Sequence, residues 1–219
     1  MTETKIYEAY NLLLKSFGRQ GWWPRFDNNR FIYNKDFKNS KPSEDEAFVI
    51  SISAILAQNT NWKNVEKAVI NLNKENLLSK EALLKIDVGK LAGLIKPAGY
   101  FNQKAKKIKE FLKFNKEISR ENLLEIWGVG EETADSILLY AYNFPIFVID
   151  AYTKRIFNRI GFKLKNYKEF QELFHKNLVK DYKLFNEYHA LLVELAKRNC
   201  RKVPICGNCP LNQVCEKLI

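Results

Sequence analysis

The last twenty residues hold all four cysteines of the chain, and thiolates are strong metal ligands. Their spacing is C-x5-C-x2-C-x5-C, and the residues are Cys200, Cys206, Cys209 and Cys215. In a reducing compartment, a cluster around a CxxC centre is typical of metal ligands rather than disulfide bonds. Four thiolates could bind Zn²⁺ as a tetrahedral site or hold a [4Fe–4S] cluster. Spacing alone leaves both open, although zinc ribbons usually offer two CxxC pairs and this segment has one.

A pair of glycines and an aspartate could also do chemistry. Gly128 and Gly130 interrupt two helical stretches within residues 123–141. Glycines permit a tight turn, and the N–H groups that open the following helix point outward with the positive end of its dipole, which suits a phosphate oxygen. For this pair alone, an ordinary turn between helices is the alternative. Asp150 lies where the next helix needs an N-cap, so its carboxylate can cap that helix, stabilise or deprotonate a reacting group, or do both.

The elements that must position these residues are helices. Apolar residues recur at helical spacing, and alternation of strand length is nearly absent, so the predicted fold is all-α. Ser43 and Glu46 form a capping-box pattern that predicts a central helix reaching about Ala57. The best strand candidate is PIFVID at 145–150, and residues 18–42 are predicted to be irregular and aromatic. The predicted helices cover residues 4–17, 44–57, 61–74, 80–86, 88–95, 102–116, 121–127, 131–142, 151–160, 167–179 and 183–199.

The charge balance narrows the partners. The chain has 219 residues, and 36 Lys and Arg against 25 Asp and Glu give a formal net charge of +11. Such an excess attracts polyanions, so nucleic acid, a membrane surface or an acidic partner is favoured. No stretch approaches the ~20 apolar residues of a membrane helix, and the first residues do not read as a secretory signal. We therefore expect a cytosolic protein.

The motifs together resemble a known family. The segment GVGEETA at 128–134, the run ending in Asp150 and the terminal cysteines resemble the helix-hairpin-helix (endonuclease III) superfamily of DNA glycosylases. The resemblance implies two helical domains, a helix-hairpin-helix motif and duplex DNA bound across the cleft between the domains. It also favours a C-terminal [4Fe–4S] cluster loop over zinc, although the first cysteine gap is one residue shorter than the commonest form. The implied domains are residues 43–145 and residues 1–42 plus 146–219.

The resemblance also implies roles for single residues. Asp150 would stabilise the oxocarbenium character that develops on the sugar or deprotonate the attacking water. Gln58 and Tyr100 would fill the gap left by a base flipped out of the duplex. Gly128 and Gly130 would anchor a phosphate.

Position 132 distinguishes two reaction types. Bifunctional members of the superfamily carry a lysine there, which attacks the sugar as a Schiff-base nucleophile. This chain has Glu132, and a carboxylate cannot form an imine. The resemblance therefore implies a monofunctional glycosylase, in which water displaces the base and an abasic site remains.

A narrower resemblance is to the 3-methyladenine DNA glycosylase branch. In that branch an aromatic pocket receives an alkylated purine, so Trp22, Trp23 and Phe48, with Glu132, are the pocket candidates. An alkylated purine is cationic, and a desolvated aromatic face attracts a cation by about 1–2 kcal/mol. Packing of these aromatic residues in the core is the alternative. The features that carry this resemblance are GWWP at 21–24, Phe48, QNT at 58–60, GYFNQKA at 99–105 and Glu132.

Two departures leave the substrate open. The branch carries a pocket lysine where this chain has Leu191, and its well-known members lack the cysteine cluster. The alternatives are an endonuclease III-like glycosylase for oxidised, deaminated or mismatched bases, with lyase activity, or a non-catalytic DNA-binding module. The expected partner is double-stranded DNA containing a damaged base, with no membrane, for a monomeric, cytoplasmic and nucleoid-associated protein.

Other polar residues are less specific. We expect some of the lysines after Tyr100 to face DNA, and the alternative is a solvated helix face. His175 and His189 are expected in core or surface polar roles, because neither has a second ligand at metal spacing. The lysines in question are Lys104, Lys106, Lys107 and Lys109.

Overall fold

The computed structural model describes residues 2–33, 35 and 41–218, which divide into two compact units. The first unit contains the described residues up to Trp22 and those from Phe144 onwards. The second contains Trp23–Tyr33 and the described residues from position 41 to Asn143. Each unit has an apolar core of its own.

Helices account for most of the described residues, which confirms the all-α fold. A short 3-10 turn spans Lys96–Ala98, and the eighth helix continues into a π-helical turn at Ile137–Ala141. No helix in the described ranges is long and apolar enough to cross a membrane. In chain order the helices are α1 (Thr2–Phe17), α2 (Glu44–Leu56), α3 (Trp62–Lys74), α4 (Lys80–Lys85), α5 (Val88–Leu94), α6 (Phe101–Leu112), α7 (Arg120–Leu124), α8 (Glu131–Ser136), α9 (Ala151–Ile160), α10 (Tyr167–Asn177) and α11 (Tyr182–Arg198).

The core of the first unit forms around α11. Tyr188 of α11 is fully buried, and its hydroxyl donates a 2.8 Å hydrogen bond to the carbonyl oxygen of Ile6 in α1. A buried tyrosine needs such a partner for its hydroxyl, so this bond fixes the first helix against the last. Phe147 stacks on Phe174 of α10 with ring centroids 3.6 Å apart, which anchors the segment that leads into α9.

That segment, the candidate strand at 145–150, is extended but is not a strand. Its N–H groups bond to side chains: that of Phe147 donates to Nε2 of His175 at 3.0 Å, and that of Ile149 donates to the hydroxyl of Tyr167 at 3.2 Å. Backbone groups satisfied in this way need no neighbouring strand. The apolar run is therefore a buried connection that delivers Asp150 to the start of α9.

Helix α2 is the centre of the second unit. Its N-terminus has the predicted capping box: Ser43 Oγ accepts from the N–H of Glu46 at 3.2 Å, and Glu46 Oε2 accepts from the N–H of Ser43 at 2.8 Å. Every residue from Val49 to Leu56 is buried. A helix that is buried on all sides must be covered on all sides, and α3, α6, α8, the π-helical turn and the segment Arg25–Asp27 pack against it.

A β-hairpin occupies part of the stretch that we predicted to be irregular. Strand β1 (Arg25–Asp27) pairs antiparallel with β2 (Arg30–Ile32). The two turn residues, Asn28 and Asn29, have φ angles of 46° and 62°, and asparagine tolerates this left-handed conformation. The prediction was wrong because each strand is only three residues long, too short for alternation to register.

Two predicted helices are too long at their C-terminal ends. The helix predicted for 102–116 ends at Leu112, and the one predicted for 121–127 ends at Leu124. The first continues into residues 113–116, where three of four side chains are charged or polar and offer little apolar surface to bury. The second gives way to the glycine turn.

Candidate active site and nucleic-acid interface

The two glycines of the turn between α7 and α8 have different surroundings. Gly128 has a φ of +87°, and a Cβ there would lie 2.4 Å from Cγ of Lys107, so no other residue fits without strain. Gly130 has an ordinary φ of −95° and open space where its Cβ would be. The fold itself therefore requires Gly128, whereas Gly130 keeps the surface in front of α8 clear.

A buried ion pair fixes the two helices of this hairpin. Arg120 Nε lies 2.7 Å from Oδ1 of Asp135, and the guanidinium also donates to Oδ2 at 3.2 Å. Asp135 is fully buried in α8, while Arg120 opens α7 and also reaches Glu131 at 3.3 Å. The two-point contact sets the angle between the helices, because a guanidinium meets a carboxylate in a fixed geometry.

Gln58, just after α2, is bonded to the same hairpin. Its Nε2 donates to the carbonyl oxygen of Gly128 at 3.0 Å and to the hydroxyl of Thr133 at 2.9 Å. Lys107 donates to its Oε1 at 2.6 Å. The amide is thus satisfied on both ends, and it joins the loop after α2 to the glycine turn. Its expected role in filling a gap in DNA stays a prediction.

Tyr100 is a highly exposed aromatic residue of the second unit. It is 68% exposed, and it has a left-handed backbone conformation with φ 45° and ψ 31°. Such a conformation disfavours a residue with a Cβ by about 1–2 kcal/mol. Gly99 before it has a φ of 70°, so the turn directs the ring outward at the start of α6. Strain and exposure in one aromatic residue are typical of a functional position.

The four lysines after Tyr100 have different surroundings. Lys104 is 2% exposed, and its ammonium donates to the carbonyl oxygens of Leu56 and Ala98 at 2.8 and 2.7 Å. Burial, with a smaller effect of Lys107, lowers the pKa of Lys104 to about 8. Lys109 donates to carbonyl oxygens at the C-terminus of α4. Three of the four lysines therefore bond within the protein; the fourth, Lys106, is exposed.

Asp150 is the N-cap of α9, as the sequence predicts. Its Oδ1 accepts a 2.7 Å hydrogen bond from the N–H of Thr153, and its side chain is 13% exposed. Its Oδ2 lies 3.7 Å from Nε2 of His189 in α11. Burial lowers the pKa of His189, and the nearby carboxylate opposes that effect only in part. The pair is therefore a carboxylate beside a buried, neutral imidazole.

The two adjacent tryptophans of the pocket hypothesis have different neighbours. Trp22 belongs to the first unit, where the ammonium of Lys197 lies 5.9 Å from its ring centroid. Trp23 belongs to the second, and its ring lies 5.1 Å from that of Trp62 and 5.2 Å from that of Tyr140. Trp22 is thus already a cation-binding face, whereas Trp23 packs edge to face in an aromatic cluster.

Phe48 and Glu132 are both accessible in the second unit. Glu132 is exposed in the first turn of α8, where a carboxylate suits the helix dipole. Leu191, at the position of the branch's pocket lysine, is fully buried in α11 and belongs to the core. Phe48 lines a surface cavity of about 520 Å³. Its charged and aromatic lining also includes Phe111, Phe114 and Tyr142, the acidic residues Glu44, Asp45 and Glu81, and the basic residues Lys80 and Lys116.

The four cysteines lie within electrostatic reach of one another. Burial raises the pKa of the Cys209 thiol, and each of the other three cysteines adds to the effect. Arg159 donates to Sγ of Cys200, and the N–H of Lys217 donates to Sγ of Cys215, both at 3.4 Å. Within the described residues, no group of three or more His, Cys, Asp or Glu is arranged to hold a single metal ion. Four thiols in one segment, two of them accepting N–H hydrogen bonds at sulfur, are by their chemistry a suitable ligand set for a [4Fe–4S] cluster.

A family profile matches the part of the chain that contains the hairpin and Asp150. The profile is that of the HhH-GPD superfamily of base excision DNA repair proteins, and it matches residues 52–180, more than half of the chain. The chain belongs to the HhH-GPD superfamily.

Individual relatives agree with this assignment. The chain is 43% identical to the "Putative DNA repair glycosylase MJ1434" of Methanocaldococcus jannaschii, over 96% of this chain and 95% of that protein. It is 33% identical to the endonuclease III of Thermotoga maritima, over 79% of this chain and 84% of that protein. A 3-methyladenine DNA glycosylase of H. pylori, solved with 1,N6-ethenoadenine, superposes with a TM-score of 0.70 at 25% identity and covers 90% of this chain and 97% of its own.

The HhH-GPD assignment makes this chain a DNA glycosylase of base excision repair. The family profile covers some of the candidate site residues and not others. The matched residues include the glycine turn and Asp150 but end before the cysteines. The superfamily profile therefore carries no information on a metal or cluster at the cysteines.

One residue of this HhH-GPD site was missed by sequence reasoning. His189 was assigned a core or surface role because no ligand follows it at metal spacing, yet it faces the Asp150 carboxylate. The two residues are 39 positions apart, so no local pattern could pair them. The available signal was the single histidine on the otherwise apolar face of α11.

Proposed function

We propose that this glycosylase is monofunctional and hydrolyses the N-glycosidic bond of an alkylated purine, such as 3-methyladenine, in double-stranded DNA. The observation that carries the proposal is the combination of a partly buried, fixed carboxylate at Asp150 with a carboxylate, rather than an amine, at position 132.

Asp150 has the features that electrostatic catalysis needs. Its Oδ1 is held by the N–H of Thr153, while 13% exposure leaves the carboxylate reachable. Departure of the base leaves positive charge on the sugar, and a fixed negative charge stabilises that state more than it stabilises the substrate. A water molecule attacking the same carbon could lose its proton to this group.

Glu132 supports hydrolysis without strand cleavage. It is exposed in the first turn of α8, and it has no nucleophilic nitrogen. Lys107, which lies against the glycine turn, donates to Gln58 and lies beside Gly128. These contacts support a reaction that ends at the abasic site.

The choice of an alkylated purine is supported by aromatic groups and by a relative. The ring of Trp22 has a cation 5.9 Å from its centroid, and the Phe48 cavity combines aromatic rings with three carboxylates and two lysines. The aromatic faces are what favour a cationic base. The similar H. pylori structure is named a 3-methyladenine DNA glycosylase. Gln58 and Tyr100 are proposed to hold the opened duplex, and Gly128 and Gly130 are proposed to contact a phosphate. The proposal also includes a monomeric state and a cytoplasmic location beside the nucleoid.

A [4Fe–4S] cluster on Cys200, Cys206, Cys209 and Cys215 is part of the proposal. Bound there, the cluster would cross-link the C-terminal segment and serve the fold rather than the reaction. Iron, sulfide and zinc analysis of the purified protein, with its visible absorption spectrum, tests this. About four irons per chain support it, and one zinc with a colourless sample would overturn it.

The proposed reaction is tested with a panel of duplexes, each containing one defined lesion. The panel includes methylated purines, hypoxanthine, uracil, thymine glycol and 8-oxoguanine, and each reaction is repeated with borohydride. We expect release of the methylated purine with no trapped adduct. Asp150→Asn should lower the rate about 100- to 1,000-fold with DNA binding retained.

A matched control separates chemistry from helix capping. Asp181 is also an N-cap aspartate in the first unit, where it accepts from the N–H of Lys183 at 2.8 Å. Asparagine is also a good N-cap residue, so both Asp181→Asn and Asp150→Asn should keep their helices capped. Asp181→Asn should leave the rate of base excision unchanged. Equal losses in both variants, or excision by Asp150→Asn at the wild-type rate, would contradict the proposed role of Asp150.

The second candidate is an endonuclease III-like glycosylase for oxidised, deaminated or mismatched bases, with lyase activity. The observation that favours it is the 33% identity with the endonuclease III of Thermotoga maritima. Release of thymine glycol with a borohydride-trapped adduct would select this candidate. Binding to every duplex without base release would instead indicate a non-catalytic DNA-binding module.

A further inference from the structure

Among the described residues, the imidazole of His189 lies 3.7 Å from the Asp150 carboxylate, and the sequence predicts only a core or surface polar role for it. We propose that His189 is a positioning residue that holds Oδ2 of Asp150 while Thr153 holds Oδ1. The inference rests on the proposed function, because it assigns a partner to the carboxylate that the proposed reaction uses. It goes beyond that function by naming the residue that orients it.

One hydrogen bond does not fix a carboxylate. The N–H of Thr153 holds Oδ1 at 2.7 Å, but rotation about the last side-chain torsion of an aspartate is soft. A second donor on Oδ2 would fix the plane of the group. Nε2 of His189 lies 3.7 Å away, about half an ångström beyond a hydrogen bond. Contacts of catalytic groups are often long without substrate and shorten when it binds.

The state of the imidazole suits a donor. His189 is 6% exposed, and burial lowers its pKa, so the ring is neutral at neutral pH. A neutral imidazole has one N–H, and a carboxylate facing Nε2 favours the tautomer with that proton on Nε2. His189 therefore orients Asp150 without neutralising the negative charge that the sugar cation requires.

The position of His189 is itself fixed by the core. It follows Tyr188, which is fully buried and bonded to Ile6, and it precedes the fully buried Leu191 and Leu192 on α11. The imidazole thus projects from a packed helix rather than from a loop. A group held by packing can orient its neighbour without losing freedom of its own when substrate binds.

The reaction distinguishes positioning from folding. His189→Leu removes the donor and fills its place with an apolar side chain. His189→Gln restores a side-chain N–H. Tyr188→Phe is the control on the same helix. For the methylated-purine duplex, we expect His189→Leu to lower the single-turnover rate about 10- to 100-fold, with the dissociation constant for DNA changed less than twofold. His189→Gln should recover most of the rate, and Tyr188→Phe should keep it.

A second readout does not depend on activity. In protein labelled with ¹⁵N in histidine, the chemical shift of His189 Nε2 should show that this nitrogen is protonated. The same chemical shift should change in Asp150→Asn, while the chemical shifts of His175 should not. An identical His189 resonance in both proteins would overturn the proposal, as would excision by His189→Leu within twofold of wild type. If wild type releases no base from any duplex, the proposed function fails, and the resonance still decides whether His189 holds Asp150.

Discussion

The residue proposed to open DNA and the residue proposed to cleave the glycosidic bond are positioned by opposite means. Tyr100 is 68% exposed and depends on a left-handed backbone, whereas Asp150 is a half-buried cap held by a hydrogen bond and faced by an imidazole. A side chain that must enter a duplex cannot be packed in advance, so the backbone has to direct it. A carboxylate that must meet a developing cation gains from a fixed, poorly hydrated setting.

The supports beneath the two residues differ in the same way. In the unit of Tyr100, Lys104 bonds to the carbonyl oxygens of Leu56 and Ala98, and Gln58 bonds to that of Gly128 in the glycine turn. Around Asp150, the supports are a helix N-terminus and the packed helix α11. We infer that variants in the hairpin unit will affect stability and DNA affinity, and variants around Asp150 will affect the rate of base release.

Among the variants in the hairpin, the largest loss of stability is expected at the ion pair between Arg120 and the buried Asp135. Arg120→Met removes the guanidinium from the fully buried Asp135 carboxylate. Breaking a buried pair from one side destabilises a protein by about 3–5 kcal/mol, so the free energy of unfolding should fall by that amount. Chemical denaturation at neutral pH measures it.

The control is the exposed contact between Arg120 and Glu131. Glu131→Gln removes only the 3.3 Å contact at a side chain that is 48% exposed, and the expected change is below about 1 kcal/mol. Equal losses in the two variants would mean that burial of Asp135 does not make its ion pair stronger than the exposed contact of Glu131.

Stability near Lys104 should depend on pH. Its pKa is about 8 in the folded chain against an ordinary 10.5, so folding releases a proton between these values. Since the unfolded chain then binds more protons, stability rises with pH across this window, and the full change is about 3 kcal/mol. Lys104→Met should lack the rise, whereas Lys106→Met on the exposed side of α6 should keep it. Denaturation at pH 7.5, 9 and 10.5 tests this.

Tyr100 should act on DNA affinity and leave stability alone. Stacking of a base on an aromatic ring contributes about 1–3 kcal/mol, so Tyr100→Ala should weaken binding to a lesion-containing duplex about 5- to 150-fold. Tyr100→Phe keeps the ring and should bind as wild type. Fluorescence anisotropy with a duplex that contains an inert abasic analogue gives the dissociation constant of each variant. An unchanged Tyr100→Ala complex would show that the exposed, strained ring has another purpose.

The sequence predicts features that depend on neighbours along the chain. Ser43 with Glu46, and Asp150 as an N-cap, follow from short-range hydrogen bonds, so both were found. The features it missed join distant residues. Lys104 bonds to the carbonyl oxygen of Leu56, 48 positions away, and His189 faces Asp150, and neither contact leaves a periodic pattern.

Charge patterns show a related limit. Some of the lysines after Tyr100 were expected to face DNA, and three of the four ammonium groups bond to carbonyl oxygens or to Gln58. Which of these lysines face DNA stays a prediction. A lysine has a long apolar stem, so its sequence position does not tell whether its charge lies inside or outside. Conversely, Asn28 and Asn29 were a local turn signal that was passed over because the strands beside them are so short.

The smallest effects are expected at the two turn glycines, where they separate folding from binding. Gly128→Ala meets a φ of +87° and the Lys107 side chain, so it should lower stability by about 1–2 kcal/mol. Gly130→Ala has an ordinary φ and open space, so stability should stay within about 0.5 kcal/mol of wild type. Its methyl group would nevertheless stand in front of the N–H groups of α8. Affinity for every duplex, damaged or intact, should therefore fall several-fold, because a phosphate contact carries no lesion specificity. If Gly130→Ala bound DNA as wild type does, the turn would be an ordinary connection between helices.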